Sequence, residues 1–206
     1  MGGAELINQP GTYGVQGTAS TANTPSARFG AVGWTDTKGN LWLFGGSSGT
    51  NSVAPLNDLW MFGSGEWTWM SGSTNPDQSG TYGTRGSGSA GNTTGVRVYA
   101  VTWTGTDGSL WLFGGDGYES AGLTGALNDL WNYRQGQWTW ISGSAVVGQT
   151  GTYGTLGSGG PGNAPGERGQ AVGWKDVSGN FWLFGGLGYD SVGTLGQLND
   201  LWMTQP

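Results

Sequence analysis

The sequence contains neither cysteine nor histidine. The first absence excludes disulfides, a thiolate nucleophile and any Cys-held metal. The second removes the commonest general base and metal ligand, and with it any Ser-His-Asp triad. Charge is scarce as well: only 10% of residues carry it, with seven Lys and Arg against 13 Asp and Glu. The net charge of −6 leaves no basic stripe to meet a phosphate backbone, so nucleic-acid binding is disfavoured. No apolar run reaches the ~18 residues of a membrane span. Met1-Gly2-Gly3-Ala4-Glu5 lacks a basic region followed by an apolar one, so no signal peptide is expected in this chain.

What the chain has instead is glycine, 45 residues of it, and 13 tryptophans. Glycine without a three-residue period excludes collagen, and so many indoles argue against disorder. No apolar stripe of 3.6-residue period persists, so an all-β domain with long turns is the expectation, spanning 1–206 as a single domain.

One stretch occurs three times: Leu41-Trp42-Leu43-Phe44-Gly45-Gly46, Leu110-Trp111-Leu112-Phe113-Gly114-Gly115 and Phe181-Trp182-Leu183-Phe184-Gly185-Gly186. Each reads as a buried strand that stops at the double glycine. The rest of the chain repeats in step. A Gly-Thr-Tyr-Gly phrase ends at Gly14, Gly83 and Gly154. A first strand follows as Arg28–Trp34, Arg97–Trp103 and Arg168–Trp174, then an Asp/Asn/Gly hairpin turn, then the WLFGG strand. A third strand carries Leu-Asn-Asp-Leu-Trp, ending at Trp60, Trp131 and Trp202, each 71 positions after the last. Trp67-Thr68-Trp69-Met70 and Trp138-Thr139-Trp140-Ile141 alternate with period two and read as fourth strands. The third unit has no fourth strand, because Met203-Thr204-Gln205-Pro206 closes the sequence. Residues 1–27 read as a loop in which Ala4-Glu5-Leu6-Ile7 is a candidate substitute edge strand.

Four strands per unit, a double glycine after the second and a tryptophan on the third and fourth resemble the kelch repeat, in its bacterial variety with WLFGG, LNDLW and WTW. The resemblance covers nearly the whole chain from Arg28 on; long connecting loops stretch the period to about 70 against the ~50 typical of kelch. It implies an all-β propeller whose blades lie at about 28–70, 97–141 and 168–203, the last incomplete. Propellers close with four to eight blades. Three blades leave two apolar faces open, so the resemblance implies a homodimer whose two chains complete one six-bladed ring head to tail. The alternative is a fragment of a longer kelch protein.

The implied function is a non-catalytic scaffold that presents loops to a protein or glycan partner, without a cofactor. The kelch family also includes copper-radical oxidases, but their site needs histidine and cysteine. A carboxylate-based enzyme acting on sugars is the alternative, and it needs acids that break the repeat. Arg28, Arg97 and Arg168 recur before each first strand, and Asp58, Asp129 and Asp200 inside each third strand. Recurrence in every unit favours a structural charge-assisted bond over catalysis. Gly45, Gly46, Gly114, Gly115, Gly185, Gly186, Trp60, Trp131 and Trp202 are read as structural for the same reason. Tyr13, Tyr82 and Tyr153 are read as packing residues, and Tyr118 and Tyr189 as loop aromatics. Glu119 and Asp190, in loops after the double glycine where the first unit has Ser47-Ser48-Gly49-Thr50, are weak candidates for a hard cation.

Overall fold

Aspartate and glycine set the turns. Asp36 Oδ1 accepts the amides of Lys38 and Asn40, while its Oδ2 accepts Asn40 Nδ2 and Trp42 Nε1. That closes the turn between the first two strands and ties it to the indole of the second. Asp176 repeats all four bonds with Ser178, Asn180 and Trp182. These donors hold the half-buried Asp176 carboxyl down at about 2. Two-residue turns follow the third strands at Ser64-Gly65 and Gln135-Gly136. All four residues have positive φ, the twist a tight hairpin demands.

The computed structural model describes residues 3–49 and 54–206. The first unit contributes β1 (Val32–Thr35), β2 (Leu41–Phe44), a short ribbon of β3 (Ser47–Ser48) with β4 (Ala54–Pro55), then β5 (Leu59–Gly63) and β6 (Glu66–Ser71). The second contributes β7 (Arg97–Val98), β8 (Val101–Thr104), β9 (Leu110–Tyr118), β10 (Thr124–Arg134) and β11 (Gln137–Ser142). The third contributes β12 (Arg168–Gly169), β13 (Val172–Lys175), β14 (Phe181–Tyr189) and β15 (Leu195–Thr204). Each unit is an antiparallel sheet: β1-β2-β5-β6 in the first; in the second β9 pairs with β7 and β8 on one side and β10 on the other, with β11 beyond it; in the third β14 pairs with β12 and β13 on one side and β15 on the other. Among the described residues there is no helix, and the chain is all-β.

Three details differ from the sequence expectations. In the second and third units the WLFGG strand does not stop at the double glycine. It runs through to Tyr118 and Tyr189, with a register shift opposite. The glycine pair is a bulge with positive φ at both residues, and backbone crowds it from two sides. A Cβ on Gly114 would stand 2.7 Å from the Arg168 carbonyl of the next unit, and one on Gly115 2.7 Å from the Val98 carbonyl of its own. Second, the first strand is broken by a left-handed residue: Gly30, Tyr99 and Gln170 have φ of 65°, 57° and 59°. The break joins units, since Tyr99 N donates to Gly30 O (2.9 Å) and Gln170 N to Tyr99 O (3.0 Å). Third, Ala4-Glu5-Leu6-Ile7 forms no strand; Leu6 and Ile7 are exposed in a run of bends.

The core lies between sheets rather than within them. Trp34, Phe44 and Leu59 of the first unit pack against Leu110, Leu112, Trp131, Tyr133 and Trp138 of the second. Val101, Trp103 and Phe113 of the second pack on Phe181 and Leu183 of the third. Indole N–H groups bridge the same junctions: Trp34 Nε1 donates to Trp111 O (2.9 Å) and Trp103 Nε1 to Trp174 O (3.1 Å).

Candidate functional site

Each unit builds the same four-residue cluster. In the second, Arg97 enters on β7 and meets Asp129 on β10 by two parallel bonds, Nη1–Oδ1 at 2.8 Å and Nη2–Oδ2 at 3.0 Å. Asp129 Oδ2 also accepts Tyr82 Oη (2.6 Å) and Trp131 Nε1 (2.7 Å). Arg97 donates further to the Gly114 carbonyl at the bulge (3.1 Å). Arg28, Asp58, Tyr13 and Trp60 repeat the cluster, as do Arg168, Asp200, Tyr153 and Trp202.

The clusters carry strong electrostatics. Burial raises the Tyr13 and Tyr82 hydroxyls far above the usual tyrosine range, and the neighbouring Asp adds to it. Burial would also raise Asp200, but hydrogen bonds from Arg168, Tyr153 and Trp202 outweigh it and hold the carboxyl low. The guanidinium of Arg97, fully buried, is held charged by Asp129. Each carboxylate accepts four donors, one on Oδ1 and three on Oδ2. The tyrosine hydroxyl is the member that the sequence placed only as packing.

Glu119 and Asp190 occupy equivalent turns. Glu119 Oε1 accepts the amides of Ala121 and Leu123, and Asp190 Oδ1 those of Val192 and Thr194. Both carboxylates therefore lock a loop; the second oxygen of Glu119 is buried without a partner. Thr50, in the matching first-unit loop, lies outside the described residues. Among the described residues no group of three metal-capable side chains converges. Asp116 and Glu167 break the repeat symmetry at the junction of the second and third units, and burial raises both carboxyls. Glu167 is 2% exposed, and its Oε2 accepts the amides of Gly148 (2.6 Å) and Gln149 (2.8 Å).

Three kinds of surface are open: a groove, two outward sheet faces and a strand edge. The inner strands β1, β8 and β13 line a shallow groove of about 340 Å³ between Gly33, Trp103, Trp174 and Lys175. The outward face of the third unit exposes residues that its predecessors bury: Trp174 is 45% exposed against 6% for Trp34 and Trp103, and Phe184 42% against 0% for Phe44. The outward face of the first unit exposes Leu41, 50% against 2% for Leu110. The third surface is the free edge of β15, where the other two units have β6 and β11.

No protein-family model and no curated protein sequence matches the chain. Among solved structures it is similar to YjhT, at 19% identity and a TM-score of 0.48, over 80% of this chain and 36% of that one. It is also similar to a fucose lectin from Kordia zhangzhouensis in complex with methyl-fucoside, at 13% identity and a TM-score of 0.37, over 85% of this chain and 97% of the lectin. The chain thus spans little more than a third of YjhT.

Proposed function

We propose that the chain is a non-catalytic kelch-type β-propeller module, three blades long, and that two copies close head to tail into a six-bladed ring. One observation carries the reading: the two open faces are the two halves of a junction the chain already makes twice. Val172, Trp174 and Phe184 are the third-unit counterparts of Val101, Trp103 and Phe113, which pack against the third unit. Leu41 and Leu43 are the first-unit counterparts of Leu110 and Leu112, which pack against Trp34 and Phe44 of the first unit. A heterologous contact of this kind closes as a two-fold ring. Left in water, the faces form an apolar patch that marks an interface.

The non-catalytic part of the reading is supported by the commitment of Asp58, Asp129 and Asp200 to an Arg, a Tyr and a Trp in every unit. Glu167 does not favour the carbohydrate-active enzyme, because it is closed off and committed to backbone amides. The closed ring would present its inner groove and connecting loops to a protein or glycan partner. Sedimentation equilibrium of Trp174→Glu and Leu41→Glu tests the junction. Each variant alone is expected to remain folded and to sediment as a monomer. Dimeric mass in either variant, with native near-UV circular dichroism, would overturn the head-to-tail arrangement.

A further inference from the structure

Two joints hold the three units together, and their backbones are built alike. At the first, the Arg97 carbonyl lies on the bulge of the preceding unit, where it accepts Gly46 N (3.0 Å), and Tyr99 N reaches Gly30 O (2.9 Å). At the second, the Arg168 carbonyl lies against Gly114 of the preceding bulge, and Gln170 N reaches Tyr99 O (3.0 Å). The joints differ in two side chains. The first joint has Ser47 on one side, whose Oγ accepts Ala54 N, and Val96 on the other; both are buried. The second joint has Asp116 and Glu167 at those two positions. Each unit thus brings one carboxyl to the same joint.

Asp116 stands on β9 just past the bulge, and β12 packs against that strand. The Asp116 carboxyl lies over the α-carbon of Gly169, where a Cβ would stand 2.5 Å from Oδ2 and 3.1 Å from Oδ1. Glu167 is two residues upstream of Gly169, and its Oε2 holds the Gly148 and Gln149 amides of the loop that leads in from β11. Asp116 accepts no hydrogen bond among the described residues. No cation answers either acid. Arg168 is engaged by Asp200 and the Gly185 and Gly166 carbonyls, and Arg97 by Asp129 and the Gly114 and Gly95 carbonyls. The neighbouring strands bring Val98 of β7 and Ala126 of β10 opposite Asp116, and Leu187 of β14 beside Gly169. Along its own strand come Tyr118, whose hydroxyl lies beside Asp77, and then Glu119, closed onto the Ala121 and Leu123 amides. Burial raises both carboxyls. In Glu167 it prevails over the two amides, and the charge of Asp116 raises it further.

We propose that Asp116 and Glu167 share a proton and so make the second joint pH-sensitive: closed while the pair holds the proton, loosened once both carboxyls are ionised. Two like charges set into a joint with no cation between them repel, and one of them stays neutral while protons are available. Glu167 has two amide donors to hold a negative charge and Asp116 has none, so the proton rests on Asp116 while the pair titrates as a unit. In the opened joint both carboxyls meet water and ionise near pH 4. The closed joint gives up its proton at higher pH. Its advantage is therefore complete below about pH 4 and is lost as pH rises through the pair's raised values. The first joint, with Ser47 and Val96, has no carboxyl at these positions and serves as the internal reference. The device lies within one chain and does not depend on ring closure.

The test is amide hydrogen exchange on the full chain from pH 4 to 7, read as the ratio of exchange at Gln170 N–H to exchange at Tyr99 N–H. These amides bridge the second and first joints, so the ratio cancels the intrinsic pH dependence of exchange and leaves the difference in opening. The ratio is expected to rise about tenfold toward pH 7. The rise is expected to shrink in Asp116→Asn and, separately, in Glu167→Gln, two neutral isosteres that keep the shape of the joint. Carboxyl carbon shifts give an independent readout: Glu167 is expected to titrate together with Asp116 in the unmodified chain, and at lower pH in Asp116→Asn. A ratio that does not move with pH, a rise undiminished in both variants, or a Glu167 titration indifferent to Asp116→Asn would overturn the proposal.

Discussion

The second and third units carry the same residues in the same register, yet only one of them is a closed object. Trp103, covered by the third unit, is 6% exposed and Trp174 45%; Tyr82, covered by Trp140 of its own fourth strand, is 6% exposed and Tyr153 42%. The internal bonds do not follow that divide. Arg168 meets Asp200 as closely as Arg97 meets Asp129, and Tyr153 and Trp202 still donate to the carboxylate. The polar cluster is thus a property of one unit, while apolar burial is a property of the pair. A repeat of this kind holds its shape through charge-assisted bonds and gains most of its stability from its neighbours.

The sharpest way to break the comparison is to remove the carboxylate. Asp129→Ala strands a fully buried guanidinium and is expected to cost about 3–5 kcal/mol in urea unfolding. Asp200→Ala should cost clearly less, because its side chain is 14% exposed and water reaches the cluster. Equal losses in the two variants would contradict the view that the covering strand and the neighbouring unit set the local dielectric.

The tyrosines give a finer contrast. Tyr82→Phe removes a buried bond to a charged acceptor and is expected to cost about 1.5–3 kcal/mol. Tyr153→Phe is expected to cost under about 1 kcal/mol at its exposed position. Tyr133→Phe should be neutral or stabilising, since the Tyr133 hydroxyl is buried without a partner and burial pushes it up to about 12. Urea midpoints of the three variants check the order.

The smallest expected effect is on pH dependence. Asp200 is held below its ordinary value, so its contribution is present above the unfolded pKa of about 3.9 and fades as pH falls through the lower folded value. Asp116 is raised by burial and acts with the opposite sign: stability falls as pH rises from about 3.9 through its folded value. Asp116→Asn should therefore flatten the stability profile just above pH 4 and leave the acid limb below it. Unfolding midpoints from pH 3 to 7 would show this; an unchanged slope above pH 4 would remove Asp116 from the account.

Much of the architecture was legible because it repeats. The register of Arg28, Arg97 and Arg168, the WLFGG strand and the paired hairpins follow from local pattern and turn chemistry. What escaped the sequence is non-local. That Tyr13 reaches Asp58, 45 positions on, and that Asn23 holds Trp67 from 44 positions away, is decided by a loop folding back on a later strand. Neither distance leaves a local signature beyond the bare recurrence of the phrase. The double glycine reads as a strand stop, which holds in the first unit alone; in the second, Gly114 lies against the Arg168 carbonyl of the next unit, a contact with no local signature. Ala4-Glu5-Leu6-Ile7, a candidate edge strand by pattern, lies in a run of bends with Leu6 and Ile7 exposed.

The central claim is that the third unit's open face is the missing half of the first unit's. The absolute mass of the unmodified protein in solution, by light scattering across a dilution series, tests it most directly. The account predicts a discrete species of about twice the 21.3 kDa chain mass that does not grow with concentration, since the ring closes after two copies. A well-folded monomer at all concentrations, or a mass that climbs without limit, would contradict it.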